Sequence, residues 1–203
     1  MAPYISMTMT PMVLTARLHK RRNPKCKIAF IGPCAAKKLE ASRRTVRSEV
    51  DFVLTFEELR GMFEAKGIDI NHIPDQPAYY EASAPACGFA AGGGVAKAVE
   101  EVIHRIDPTV EVKTVCAEGL RECRQMLRIA RTGKYDGYLL EGMACPGGCI
   151  AGAGTVQLPE KSRQRLEKYK AAAPLSNPMD TAYMEEIKLL HEEYEDWDRV
   201  GRH

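Results

Sequence analysis

The sequence has no run approaching the ~18 consecutive apolar residues that a membrane-spanning helix needs, so it offers no candidate span. Its first residues, Met-Ala-Pro-Tyr-Ile-Ser-Met-Thr-Met-Thr-Pro, lack the basic-then-apolar layout of a secretory signal. Net charge is nearly absent: 29 Lys and Arg against 27 Asp and Glu leave +2, which carries no nucleic-acid footprint and suggests no strongly acidic partner. Internal repeats and low-complexity tracts are also missing. These absences lead to the expectation of a cytoplasmic, reducing setting. There, seven cysteines point to metal or redox chemistry rather than to disulfides. The 203 residues, 45% of them hydrophobic, suit one large domain or two small ones.

What is present concentrates between Glu141 and Gly154, Glu-Gly-Met-Ala-Cys-Pro-Gly-Gly-Cys-Ile-Ala-Gly-Ala-Gly. Cys145 and Cys149 stand C-x₃-C on a loop with glycines at 142, 147, 148, 152 and 154. Thiolates this close can grip one inorganic centre, and bare backbone N–H groups can donate to sulfide or thiolate. Structural zinc usually shows paired knuckles or added histidines. Here there is one close pair, and no histidine lies within thirty residues of it. An iron–sulfur cluster fits the donor set better. The glycine-rich stretch Gly88–Gly94 precedes a helix but lacks both G-x-G-x-x-G and the ending of a P-loop. The C-x₃-C spacing is also not the usual redox C-x-x-C.

Patterning predicts strands alternating with helices, hence an α/β fold with a mainly parallel sheet flanked by helices, followed by C-terminal helices. A helix is expected over 11–22, with a basic tail suited to its dipole. Short strands follow at 27–31 and 50–54. Thr55 and Glu58 have capping-box spacing for a helix that turns Phe56, Leu59, Met62 and Phe63 inward and ends at Gly67. A helix after Gly94 carries the stripe Val95, Ala98, Val99, Val102, Ile103 and Ile106. A strand at 110–115 ends at Cys116, a helix at about 118–131 buries Leu120, Cys123, Leu127 and Ala130, and a strand at 138–141 delivers the cysteine loop. On that helix Cys123 is expected to be a core residue. Strands ending at Cys34, at Cys116 and at the Cys145 loop place these groups where ligands collect in open α/β sheets. Cys34 is therefore expected to meet Cys145 and Cys149.

Beyond Gly154, a charged helix is expected from 159 to about 173. A last helix, 181 to about 197, sets Tyr183, Ile187, Leu190, Tyr194 and Trp197 at heptad steps. The division is 1–158 for the cysteine-bearing domain and 159–203 for a helical extension. The 183–197 seam is either docked on the parent domain or available for dimerisation.

Two motifs, Pro33-Cys34-Ala-Ala-Lys37-Lys38-x-Glu40 and Glu141-x-Met143-Ala-Cys145-x-Gly-x-Cys149-x-x-Gly-x-Gly154, together resemble the C-terminal part of the catalytic domain of iron-only (FeFe) hydrogenases. The likeness covers most of 11–160 and looks nearer the sensory or putative large-subunit branch than the well-known enzymes. It implies a four-iron–four-sulfur cubane joined through one cysteine sulfur to a di-iron unit, together the H-cluster of anaerobic hydrogen metabolism. By that resemblance Cys34 and Cys145 ligate the cubane, and Cys149 is the thiolate shared with the di-iron unit. Lys37 pairs with a cyanide, Met143 packs at the bridging region, Phe89 lines the pocket, and Pro33 sets backbone near the diatomic ligands.

Three departures from the family pattern stand out. The upstream Thr-Ser-Cys-Cys-Pro-type segment, which supplies the fourth cubane ligand and a relay cysteine, is absent; Cys87 or Cys116 is a less favoured substitute. Gly32 stands where catalytic members carry methionine. The charged C-terminal helices differ from the usual ending. The chain is therefore expected to be a fragment with little hydrogenase activity of its own, whose parent interconverts H₂ with protons and electrons. The alternatives are a fragment of a hydrogen or redox sensor and an α/β scaffold without a cluster. Expected partners are the rest of the same domain and either a ferredoxin-like electron carrier or a downstream signalling module.

Overall fold

The computed structural model describes residues 5, 6, 8–44, 46, 48–74 and 82–188. Helix α1, Pro11–Arg22, starts at a proline, where a missing N–H removes no helical bond, and ends in His19, Lys20, Arg21 and Arg22. It buries Met12, Val13, Ala16 and Leu18, the largest group of core side chains among the described residues. Strand β1, Ala29–Ile31, runs parallel to β2, Phe52–Leu54, with Ala29 opposite Phe52 and Ile31 opposite Leu54. Between them lies the short α2, Ala36–Ser42. Helix α3, Phe56–Ala65, opens on the expected capping box: Thr55 accepts from the Glu58 N–H, and the Glu58 carboxylate accepts from the Thr55 N–H.

A second parallel pair follows. After α4, Ala84–Cys87, and α5, Gly94–Ile106, strand β3, Lys113–Glu118, pairs with β4, Tyr138–Met143. Helix α6, Leu120–Ala130, makes the crossover between them. The α/β class and the parallel direction agree with the expectation from sequence. Among the described residues, however, the strands form two separate two-stranded sheets rather than one continuous sheet. Cys116 lies inside β3 rather than at its end, because the ladder continues through Ala117 and Glu118.

The expected core stripes are only partly buried. On α5, Ala96 and Ala98 are buried while Ile106 is 70% exposed. On α6, Met126 is buried while Leu120 is 75% exposed. On α3, no residue is buried, and Met62 is 53% exposed. A two-stranded sheet is too narrow to cover the full apolar faces of helices this long, so periodicity correctly marks those faces without their being covered.

The charged helix is α7, Pro159–Ala171. It contacts α4 and the single helical turns Gly88–Ala90 and Cys149–Ala151. Beyond it, the Ala84 N–H donates to Leu175 O (2.9 Å), the Asn177 amide donates to Glu101 O (3.1 Å), and Arg105 pairs with Asp180 (2.8 Å). Residues 159–180 are thus strapped onto the cysteine-bearing part. At the start of the heptad seam, the Arg22 guanidinium lies 5.1 Å from the Tyr183 ring centroid and is ion-paired with Glu186. Leu190, Tyr194 and Trp197 lie outside the described residues. No helix among the described residues is long and apolar enough to cross a membrane.

Candidate metal centre

Three loops build the site, one after β1, one after β4 and one before α5. After β1 the chain passes through Gly32, whose N–H donates to Leu54 O (3.0 Å), to Pro33 and Cys34. The Cys34 carbonyl then accepts from the Lys37 N–H (3.2 Å) as α2 begins. After β4 the loop carries Cys145 and Cys149 and returns to the first: Gly154 N–H donates to Pro33 O at 3.0 Å. This meeting is so close that a Cβ on Gly152 would stand 2.5 Å from Pro33 O, and one on Gly154 2.5 Å from Thr55 Cβ. Glycine is there because backbone touches backbone at Gly152 and the Thr55 side chain fills the space beside Gly154.

The third loop runs from Phe89 through Gly94. A Cβ on Gly148 would lie 2.6 Å from Gly92 N and 2.8 Å from Ala90 O, so the loop between the two cysteines is pressed against it. Gly148 also has φ +83° and ψ −162°, a region essentially closed to L side chains. The part-buried Phe89, at the turn Gly88–Ala90, therefore belongs to the wall adjoining the Cys145–Cys149 loop. Met143 is the last residue of β4, opposite Glu118, and its carbonyl accepts from the Gly119 N–H at 2.8 Å.

The expected ligands act on one another electrostatically. Burial pushes the Cys149 thiol up; negative charge on Cys34 and Cys145 pushes the same way, and the Lys37 ammonium opposes them. The loops that carry these groups meet where Gly154 N–H bonds Pro33 O, beside Cys34. Lys37 donates to the Glu40 carboxylate at 2.5 Å, and the Thr10 hydroxyl bonds the other oxygen of the same group. Burial pushes the Glu40 carboxyl up, but these hydrogen bonds and the Lys37 charge outweigh it and hold it below its ordinary value. The ammonium expected to meet a diatomic ligand is thus anchored through Glu40 to the start of α1.

The remaining cysteines have other surroundings. Cys123 Sγ lies 3.5 Å from both Ala117 O and Met143 O, inside the α6 packing. Burial pushes the Cys116 thiol up, and Glu141 and Glu118 add to the shift. Burial also raises the Cys87 thiol, against an opposing pull from Lys170.

Two carboxylates to which the sequence patterns assign no role hold the loops. Glu141, buried at 8% exposure, accepts from Gly93 N–H (2.9 Å) and Ala96 N–H (2.6 Å), so a side chain from β4 caps α5. Glu118 accepts from Gly147 N–H at 2.7 Å, between the two loop cysteines. The available signal was an acidic residue at the carboxyl end of an otherwise apolar strand, where side chains face the ligand crevice.

Among the described residues, no three His, Cys, Asp or Glu side chains form a group able to hold a single metal ion. A tetrahedral ion with sulfurs at ~2.3 Å requires those sulfurs about 3.8 Å apart, whereas a cubane spreads its thiolates over different irons. Thiol donors without histidine partners, set in loops with no room for a Cβ, fit the donor chemistry of an iron–sulfur cluster.

The family described as "Iron only hydrogenase large subunit, C-terminal domain" matches residues 1–153. The nuclear prelamin A recognition factor of Xenopus laevis is 23% identical over 83% of this chain and 45% of its own length. The periplasmic [Fe] hydrogenase large subunit of Nitratidesulfovibrio vulgaris is 28% identical over 64% of this chain and 38% of its own. A cytosolic Fe-S cluster assembly factor of Xenopus tropicalis is 26% identical over 96% of this chain and 50% of its own. The chain therefore spans half or less of these relatives. Its backbone also resembles an apo [FeFe]-hydrogenase HydA1 from Chlamydomonas reinhardtii, with TM-score 0.63, 16% identity, and coverage of 91% of this chain and 65% of that one. With the family match covering three quarters of the sequence and its cysteine loops meeting as the motifs anticipate, this chain belongs to the family formed by the C-terminal domain of iron-only hydrogenase large subunits.

Proposed function

We propose that this chain supplies Cys34, Cys145 and Cys149 to a four-iron–four-sulfur cubane, with Cys149 shared with a di-iron unit, in a longer protein that interconverts H₂ with protons and electrons. The observation that carries this reading is the backbone contact between the Pro33–Cys34 loop and the Cys145–Cys149 loop, where Gly154 N–H donates to Pro33 O at 3.0 Å. When bound, such a centre stores electrons and provides the iron at which protons and electrons combine. The chain's own residues prepare the place for it. Burial raises the Cys149 thiol, iron binding as thiolate would displace its proton, and the Lys37 ammonium favours the thiolate that results. Glu40 keeps Lys37 on that side of α2. Phe89 and Met143 flank the loops, and Pro33 fixes backbone beside Cys34.

The part of the relatives that this chain does not span would supply the fourth ligand. A ferredoxin-like carrier or a downstream signalling module would exchange or read the electrons, and a dimer through the 183–197 seam is a further proposal. The cytoplasm is the proposed compartment because unpaired cysteines survive there.

A second reading keeps the cluster but not rapid turnover, as in a sensor. It is favoured by Gly32 in place of the methionine of catalytic members and by relatives named for functions other than hydrogenase. The test is iron and sulfide content with an absorption spectrum after anaerobic reconstitution, for this chain and for Cys149→Ser. About four irons per chain, lost in the variant, supports the cluster. No iron in either protein removes it from this chain. Hydrogen evolution by the full-length protein then separates enzyme from sensor.

A further inference from the structure

We infer that Glu118 is a positioning residue for the two-cysteine loop, acting through its hydrogen bond to the backbone midway between Cys145 and Cys149; this rests on the proposed reading of those cysteines as ligands. Glu118 ends β3 opposite Met143, and the next residue, Gly119, turns the chain into α6 with φ +90°. The carboxylate is thus carried on a paired strand, not on a mobile loop. One of its oxygens accepts from Gly147 N–H at 2.7 Å. The other occupies the space that a side chain at Gly92 would fill, because a Cβ there would stand 1.8 Å from it. A single carboxylate therefore lies at the junction of the Phe89 loop and the cysteine loop and bonds the latter.

The bond matters because of where it falls. Gly147 and Gly148 have φ of +89° and +83°, so glycine freedom gives this segment many conformations in isolation. Bonding the Gly147 N–H from a strand end selects one of them and sets the separation of the cysteines on either side. Glu141 fixes α5 and thereby the Phe89 loop, whereas Glu118 fixes the cysteine loop against it. The role asks for an acceptor oxygen in the right place, not for a charge.

The test compares the 203-residue chain with Glu118→Ala and Glu118→Gln. Iodoacetamide labelling of the iron-free proteins is followed cysteine by cysteine by peptide mass spectrometry. Alanine is expected to speed labelling of Cys145 and Cys149 roughly two- to tenfold, the opening that one hydrogen bond controls, while Cys123 keeps its wild-type rate. Glutamine, whose amide oxygen still accepts from Gly147, is expected to restore the slow rates. The inference is overturned if alanine leaves both rates unchanged, if Cys123 accelerates equally, or if glutamine behaves like alanine. Iron uptake is a separate arm. If the wild-type chain takes up iron, Glu118→Ala should take up less and Glu118→Gln the same. A wild-type chain that takes up none defeats the cluster reading, while the labelling still decides the role of Glu118.

Discussion

The two strand pairs present cysteines in the same way, each from a loop that leaves the carboxyl end of a parallel strand, yet they hold those loops differently. Around β1 and β2 each fastening carboxylate is ion-paired: Glu40 with Lys37, Glu58 with Lys38, and Asp51 with Lys20 and Lys27, with Asp51 and Glu58 accepting from the Ile28 and Thr55 N–H groups as well. Around β3 and β4 the fastening is by carboxylates that accept backbone N–H groups, Glu141 at the start of α5 and Glu118 at Gly147. Ion pairs open to solvent contribute little and weaken with salt, whereas the buried Glu141 carboxylate cannot be removed without orphaning its backbone donors. The difference lies in the partners: lysines beside β1 and β2, backbone N–H groups alone beside β3 and β4.

The strongest challenge to this contrast is Glu141→Ala. It leaves the N–H groups of Gly93 and Ala96 without their acceptor at a helix start, and a loss of about 3 kcal/mol is expected in denaturant unfolding. A loss under about 1 kcal/mol would mean that water replaces the carboxylate and that the two regions are alike. Next comes Gly148→Ala, which adds a Cβ 2.6 Å from Gly92 N at a φ of +83°. A cost of about 2–3 kcal/mol is expected, together with loosening of the cysteine loop seen in proteolysis. Thr55→Ala removes one half of the capping box on α3 and should cost about 1 kcal/mol by thermal unfolding.

The smallest effect sharpens the comparison through pH. Asp51 is held well below the usual carboxylate range by the Ile28 N–H and then by Lys27; Glu58 is lowered by Lys38 and by the Thr55 N–H. Lowered values in the fold mean that these groups add stability above the ordinary carboxylate range, near about 4. That stability is lost as pH falls below this range and the groups protonate. Acidification from about pH 6 to about pH 3 should therefore increase hydrogen exchange in β1 and β2 after correction for intrinsic rates, and added salt at neutral pH should do so weakly.

Much of this could be read from the chain. Proline at the start of α1 and its basic tail mark that helix to the residue, and Thr55 with Glu58 marks the start of α3 through local bonds that need no tertiary partner. The cysteines of the site were legible because strand ends, glycine loops and thiols coincide at Cys34 and at Cys145–Cys149. The apolar stripes of α3, α5 and α6 were legible as faces but not as buried faces, since periodicity records which side is apolar and not what covers it. Glu118, expected at the start of a helix, and Glu141, at the end of a strand, were hidden because an acidic residue reads as solvated until the backbone it bonds is known.

The sequence by itself determined the α/β alternation, the parallel sense of pairing and the family, because helix caps, strand runs and the two cysteine motifs are local properties of the chain. Only the tertiary structure decided that the strands stand as two pairs and that Pro33, Ala90 and Gly92 meet the cysteine loop backbone to backbone. It also decided that Glu118 bonds that loop at Gly147 while Glu141 caps α5 beside it. These are contacts between segments far apart in the chain, fixed by which N–H groups lack an acceptor once the strands and helices are in place.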